Sequence, residues 1–194
     1  MNQPRHEPRH EPLAHLALAA QENGPEDAAV MLHALPYQPS LILRGESDDV
    51  AFLEAFRGGI GFDLPLAPNH IREGDGVPAY WLGPDEWLLL GQAVSASLTQ
   101  ALAGTRHAIV ENGDGQQIIA LSGRRCRDLL AKLCPLDLES PELVSGRCAR
   151  SILAGCNMLL VPRTDGGYHI HVARSFADHA WRSLADAARE YLLK

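Results

Sequence analysis

The segment LILRGESDDVAFLEAFRGG, residues 41–59, predicts a strand followed directly by a helix. Residues 41–44 are three aliphatic side chains and an arginine, a run that is typical of a buried strand bounded by a glycine. After that glycine, a helix is indicated by apolar residues at helical spacing, and the two consecutive glycines at positions 58 and 59 are expected to end it. The apolar side of the predicted helix carries Val50, Leu53 and Phe56.

The residues that follow complete a split βαβ pattern. A loop rich in proline and glycine, residues 63–78, leads to two predicted strands, 79–82 and 86–90, that are joined by a tight turn. A second amphipathic helix begins near Val94, and a strand is predicted at about 106–111. The order strand, helix, strand, strand, helix, strand is that of a ferredoxin-like unit.

The same order begins again in the second half of the chain. A strand at 118–121 precedes a helix with a complete apolar stripe that starts at Cys126, and a hairpin follows at 157–161 and 168–172 before a last helix. We therefore predict an α+β fold in which two ferredoxin-like (split βαβ) halves pack as one domain. The domain spans 37–194, and its two halves cover about 41–111 and 117–194.

Residues 1–36 are predicted to be an arm outside this domain. Pro4-Arg5-His6-Glu7 is repeated at once as Pro8-Arg9-His10-Glu11. Prolines remove backbone donors and the charged residues resist burial, so we expect the arm to be disordered unless a partner binds it.

Composition and charge narrow the function classes. The 194 residues are 46% hydrophobic and 21% charged, which is ordinary for a globular protein with its own core. The net charge of −7 opposes binding to nucleic acid or to an anionic membrane surface. No apolar run approaches the roughly 20 residues that a membrane-spanning helix needs.

The four cysteines are Cys126, Cys134, Cys148 and Cys156, and no two of them have the close spacing with which two thiolates bind one zinc ion. We predict four reduced, buried thiols and a cytoplasmic location, because a chain of this length needs no disulfide crosslinks. No glycine-rich phosphate loop or nucleophile elbow has its required context. The sequence thus predicts no catalytic, cofactor-binding or metal-binding residue in this chain.

His169 and His171 lie two residues apart on a predicted strand, so both rings project from the face opposite Tyr168 and Val172. Three interpretations are open for this pair: two metal ligands, a solvated strand face, or a surface that faces a partner. The metal interpretation lacks a nearby acidic or cysteine ligand to complete the site.

Four segments of the chain resemble segments of one known protein family, and they follow one another in the same order as in that family. They are WLGPDEWLLL at 81–90, LCPLDL at 133–138, GRCAR at 146–150 and VARSFA at 172–177, and together they resemble the gamma subunit of heterotetrameric sarcosine oxidase. The likeness covers nearly everything after residue 40. The family's fold is related to the folate-binding domain of aminomethyltransferases, and this resemblance implies that fold here.

The resemblance also implies a function. Such a complex oxidatively demethylates sarcosine to glycine and hydrogen peroxide, and it forms methylenetetrahydrofolate when tetrahydrofolate is present. In the family FAD, FMN, NAD, zinc and tetrahydrofolate belong to the partner alpha, beta and delta subunits. This chain is thereby expected to be a non-catalytic subunit that assembles and stabilises its partners.

Partner contacts are expected from arginines and aromatic anchors. For the tryptophans, core packing is the alternative, and for Arg174 the alternative is hydrogen bonding to local carbonyls. The candidate contact residues are Arg44, Trp81, Trp87, His169, His171 and Arg174.

A second function class stays open, that of a stand-alone folate-binding or one-carbon-transfer protein. A pterin pocket between the halves needs an acidic side chain to bond the ring nitrogens. The strands expected to reach that centre, 41–44 and 118–121 with the hairpins, offer mainly Leu, Ile, Met and Trp, with Arg44 at one end. We therefore predict no tetrahydrofolate binding by the isolated chain.

Overall fold

Two antiparallel sheets of five strands each form the centre of the molecule. The computed structural model describes Leu13 and residues 29–91, 94–113 and 115–192. The strands in these residues are β1 (Met31–Ala34), β2 (Ser40–Gly45), β3 (Ile71–Gly74), β4 (Val77–Gly83), β5 (Glu86–Leu90), β6 (His107–Gly113), β7 (Gln116–Ser122), β8 (Ala149–Leu153), β9 (Cys156–Pro162) and β10 (Tyr168–Ala173). The helices are α1 (Val50–Ile60), α2 (Val94–Ala101), α3 (Cys126–Ala131) and α4 (Ala177–Leu192), and a 3-10 turn, Arg174–Phe176, precedes α4.

The strand order confirms the predicted α+β fold with two split βαβ halves. The first sheet has the order β3-β4-β5-β2-β6, with both of its helices, α1 and α2, inserted between strands in the ferredoxin-like manner. The second sheet has the order β8-β9-β10-β7-β1. Position by position the two orders correspond, except that the last place of the second sheet is taken by the N-terminal strand β1.

The predicted arm is therefore too long at its C-terminal end. Met31–Ala34 pairs antiparallel with β7, from Met31 opposite Ser122 to Ala34 opposite Ile119. The second half has no strand after α4, so the edge of β7 is open to β1, and a four-residue strand with little alternation leaves almost no periodic signal in the sequence. Leu13 is also buried in the core of the second half. Residues 1–12 and 14–28 of the predicted arm lie outside the described residues.

Two further strands, β3 and β8, are absent from the sequence prediction. Each is the outer strand of a hairpin with a two-residue turn in the left-handed region, Asp75-Gly76 (φ 50° and 75°) and Ala154-Gly155 (φ 48° and 90°). Asp-Gly is the preferred pair for such a turn, and it was the available signal for β3 in the proline- and glycine-rich loop. Ala154 gives no such signal, which explains why β8 is hidden.

Helix α1 also differs in detail. It runs through the two glycines expected to end it and finishes at Gly61, whose φ of 91° and N–H bond to the Arg57 carbonyl form a left-handed cap. The buried face is built on Phe52 and Phe56, and Val50 is exposed in the first turn instead of lying on the apolar side.

The chain forms four layers, with helices outside and the two sheets inside. The first outer core lies between its sheet and the helices α1 and α2, and includes Phe52 and Trp87. The second outer core lies under α3 and α4. Between the sheets is a third cluster, which includes Tyr80, Leu88 and Leu159. No helix among the described residues has the length and apolar character that crossing a membrane requires.

Candidate functional site

The layer between the two sheets opens into a cleft of about 290 Å³ at one end. Ile42 and Leu88 of the first sheet and Leu159 of the second give it apolar walls. Polar side chains surround these walls, and they come from both halves of the fold. The polar lining residues are Glu86, Asn112, Gln116, Arg150, Asn157 and His171.

At the rim of the cleft, the described part of the chain places the carboxylate of Glu86 between two arginines. Arg44 Nε donates to Glu86 Oε2 at 2.8 Å across the β2–β5 pair, and the other oxygen, Oε1, lies 3.9 Å from Arg150 Nη1. Arg150 belongs to the second half, and its Nη1 also donates to the Leu82 carbonyl at 3.3 Å. The arrangement leaves one positive charge in excess and joins the halves at their surface.

His171 and Gln116 carry buried polar atoms at this cleft. Neither ring nitrogen of His171, nor Oε1 of Gln116, has a hydrogen-bond partner within the described part of the chain. Burial, with a smaller effect from His169, lowers the pKa of His171 to about 3. His171 is therefore a neutral imidazole at pH 7, with one unused donor and one unused acceptor.

Of the three interpretations open for the histidine pair, the solvated strand face is wrong for His171. The second face of β10 is covered by the first sheet, so His171 is only 2% exposed and packs edge to face on Tyr80. His169 is half-buried farther along the strand, where burial and the nearby Arg163 lower its pKa. The two histidines therefore lie in different surroundings although they share one face.

For Trp87 the structure shows the core alternative. Its side chain is completely buried, its Nε1 donates to the Pro65 carbonyl at 2.8 Å, and its ring contacts Phe52. Trp81 is half-buried against the same core. A partner subunit therefore has no access to Trp87 in the folded chain, because the indole reaches an internal carbonyl from the core side of β5.

Arg44 and Arg174 lie near the cleft, as does His171, so three of the six candidate residues are brought toward one end of the inter-sheet layer. Ala173 lines the cleft and Arg174 follows it. The backbone N–H of Arg174 donates to the Gly115 carbonyl at 2.8 Å, beside the crossover from β6 to β7. The candidate contact residues that lie together are therefore at one end of the inter-sheet layer, and not along the faces of the β9–β10 hairpin.

Glu86, Arg150 and Gln116 are the residues that the sequence analysis missed at this site. Glu86 and Arg150 both lie inside segments that carry the family resemblance, but only strand pairing shows that they face one another. Gln116 precedes a buried run, and nothing local indicates that its amide turns toward the other sheet.

The four cysteines are unpaired and buried. Burial raises the pKa of Cys148 to about 12, and it also raises those of Cys126 and Cys156. Across residues 29–91, 94–113 and 115–192 and Leu13, no group of three His, Cys, Asp or Glu side chains is placed to hold a metal ion.

Comparison with known proteins places the chain in context. The sarcosine oxidase, gamma subunit family matches residues 44–190. The chain is 30% identical over 191 residues to the sarcosine oxidase subunit gamma of Corynebacterium sp. (strain U-96), with 94% of this chain and 91% of that one covered.

Two solved structures share the fold. The heterotetrameric sarcosine oxidase from Corynebacterium sp. U-96, in complex with pyrrole 2-carboxylate, contains a chain that matches with a TM-score of 0.85 and 29% identity, over 95% of this chain and 97% of that one. The glycine cleavage system aminomethyltransferase T from Bartonella henselae matches with a TM-score of 0.62 and 15% identity, over 81% of this chain and 45% of that one. The second likeness concerns the fold alone, and it confirms that the chain has the expected aminomethyltransferase-like fold.

Proposed function

The chain belongs to the sarcosine oxidase gamma subunit family, and on this premise we propose that it is a non-catalytic subunit that assembles and stabilises a sarcosine oxidase complex. The resemblance carried by the four sequence segments is confirmed at the level of the family. The observation that supports the proposal best is the extent of the likeness, because a TM-score of 0.85 over 95% of this chain includes both halves and their crossover.

In the proposed complex, sarcosine is oxidatively demethylated to glycine with release of hydrogen peroxide, and methylenetetrahydrofolate forms when tetrahydrofolate is present. The alpha, beta and delta subunits hold FAD, FMN, NAD, zinc and tetrahydrofolate. This chain acts in the cytoplasm, where its four thiols stay reduced, and it contributes binding surface rather than chemistry.

The protonation states of the interior support a role without catalysis. A thiol whose pKa is about 12 is not a thiolate at pH 7, and an imidazole whose pKa is about 3 is a weak base. Cys148 and His171, whose pKa values burial shifts strongly, are thus both held in their neutral forms.

The experiment is reconstitution with and without this chain. The alpha, beta and delta subunits are co-expressed in both cases, and sarcosine-dependent hydrogen peroxide production is measured before and after mild heating. The proposal expects the isolated chain to be colourless and inactive, and the complex that lacks it to lose activity or dissociate first. Sarcosine is compared with other N-methyl amines to define the substrate.

The alternative of a stand-alone folate-binding protein rests on the cleft between the halves. Glu86 is the acidic side chain at its rim, and both of its oxygens face arginines, Arg44 and Arg150. A pterin would compete with these two guanidinium groups for the carboxylate, which disfavours binding. Calorimetric titration with tetrahydrofolate tests this, and saturable micromolar binding that Glu86→Gln abolishes would favour the alternative.

A further inference from the structure

The inner faces of both sheets continue past the cleft as exposed apolar surface. Val110 is opposite Ile42 in the β2–β6 pair and therefore shares its face, and Ile42 lines the cleft. Ile152 is opposite Asn157 in the β8–β9 pair, and Asn157 also lines the cleft. Val110 is 48% exposed and Ile152 is 44% exposed, which is unusual for inward-facing positions of a sandwich.

These two residues lie on the same inner sheet faces as the cleft lining, and we call them and the cleft together the open end. Its floor is the apolar wall of Ile42 and Leu159, and its flanks are Val110 on one edge strand and Ile152 on another. An aliphatic side chain entering the cleft would complete the core that the two sheets leave unfinished.

The charge at the open end is opposite to that of the whole molecule. The chain has a net charge of −7, but Glu86 is the one acidic side chain among the described residues that line the cleft, and both Arg44 and Arg150 face it. The Arg150 contact with Glu86 is long, at 3.9 Å, and its side chain is 64% exposed. A guanidinium has five N–H donors, so Arg150 can also donate two hydrogen bonds to a further carboxylate in a bidentate pair.

The buried polar atoms give a second indication that something is missing here. Gln116 Oε1 and both nitrogens of His171 have no partner among the described residues, although most buried polar groups in proteins are hydrogen-bonded. Both side chains line the cleft, so an occupant with a hydrogen-bond donor would have two acceptors beside it, Gln116 Oε1 and one His171 nitrogen, and the other His171 nitrogen could donate.

We infer that the open end is where a partner subunit of the complex seats an extended segment, whose aliphatic side chains cover Val110 and Ile152 and whose carboxylate pairs with Arg150. This inference rests on the proposed function, since it assigns the surface by which the subunit holds its partner. An acidic and aliphatic segment fits both the apolar walls and the excess positive charge.

The test is co-purification of the tagged full-length chain with the co-expressed alpha, beta and delta subunits, followed by an affinity measurement. Two variants address the two parts of the surface, Val110→Ser with Ile152→Ser for the apolar flanks and Arg150→Glu for the charge. Each is expected to weaken binding of the partners at least about tenfold. Raising the salt concentration should weaken partner binding by the unsubstituted chain more than partner binding by the Arg150→Glu variant.

Matched controls lie elsewhere on the surface. Val50→Ser and Val144→Ser remove exposed aliphatic groups on α1 and on the loop before β8, and Arg57→Glu reverses an exposed arginine that contacts Asp63 at 3.6 Å. All are expected to bind like the unsubstituted chain. Thermal unfolding of every variant identifies any loss that comes from misfolding.

The outcomes separate this inference from the proposed function. If the unsubstituted chain retains no partner subunit, the proposed function fails. If it retains them and the open-end variants do so equally well, or if Val144→Ser is the variant that loses them, the surface assigned here is wrong. If only the apolar double variant weakens binding, the inference that a carboxylate of the partner pairs with Arg150 is wrong.

Discussion

Tyr80 and His171, one from each sheet, pack edge to face across the layer between the halves, with ring centroids 5.3 Å apart and an interplanar angle of 66°. Aromatic pairs in this geometry are favourable beyond the area they bury. No described group bonds to either nitrogen of this imidazole. The two halves therefore pack in this way while His171 is neutral, and a proton on the ring would be buried without a partner.

The first prediction is that acid weakens the fold through His171. In the unfolded chain a histidine has a pKa near 6.5, and in the fold the pKa of His171 is about 3. Below pH 6.5 the unfolded state therefore gains a proton that the folded state does not bind, and stability falls as the pH drops toward 3. Between pH 7.5 and 5 this group is expected to lower the free energy of unfolding by about 2 kcal/mol, which urea unfolding at the two pH values would measure.

His171→Phe is the decisive variant for this prediction, because it keeps the ring and removes both unpartnered nitrogens. It is expected to unfold with a free energy equal to or about 1 kcal/mol above that of the unsubstituted chain at pH 7.5, and with the 2 kcal/mol loss at pH 5 absent. Tyr80→Phe, which retains His171, is the control and should keep that loss. An unchanged pH dependence in His171→Phe would refute the assignment.

A second prediction distinguishes the two tryptophans that the sequence offers as partner contacts. Trp87→Leu is expected to cost about 3 kcal/mol of unfolding free energy, since it leaves a cavity beside Phe52 and an unbonded Pro65 carbonyl. Trp81→Leu should cost about 1 kcal/mol, because that side chain is half-buried. Chemical denaturation of both variants provides the comparison, and equal losses would contradict the different burial of the two side chains.

Most of the fold could be predicted from the sequence because its central strands and helices are periodic over short stretches. The hairpins around residues 84 and 165 lie near their predicted places, α2 begins at Val94 as predicted, and the last helix follows the second hairpin. β1 could not be predicted, since its partner β7 is far away along the chain and only the pairing defines it as a strand.

The candidate site could be predicted only in part. The sequence singles out three residues near the open end, Arg44, His171 and Arg174. It does not show that they lie close together, because this depends on which face each strand turns toward the other sheet. Arg150 and Glu86 meet because β8 packs near the β4–β5 turn, and no local pattern in either segment carries that information.

The third prediction concerns β1. Leu32 packs against the core of the second half, so Leu32→Asp is expected to destabilise the chain by about 2–3 kcal/mol, measured by thermal or urea unfolding. His33→Ala, on the other face of the strand, should cost less than about 1 kcal/mol. A disordered arm would tolerate both substitutions, and that result would contradict the pairing of β1 with β7.

The fourth prediction concerns the thiols. Because all four are buried and the pKa of Cys148 is about 12, a thiol reagent at pH 8 should react slowly with the folded chain. After unfolding and alkylation without reductant, mass spectrometry should show four modified cysteines. Elemental analysis of the purified folded chain should show no zinc. Fewer than four modified thiols, or a stoichiometric metal ion, would contradict this.

Isolation of the tagged chain from its own cells at native expression level tests the central claim most directly. Size-exclusion chromatography with mass spectrometry of the peak should show this chain together with larger flavin-containing subunits, in equal amounts, and sarcosine-dependent hydrogen peroxide production in the same fractions. A chain that elutes alone at its monomer mass of 21.1 kDa, while sarcosine oxidation elutes elsewhere, would contradict the account.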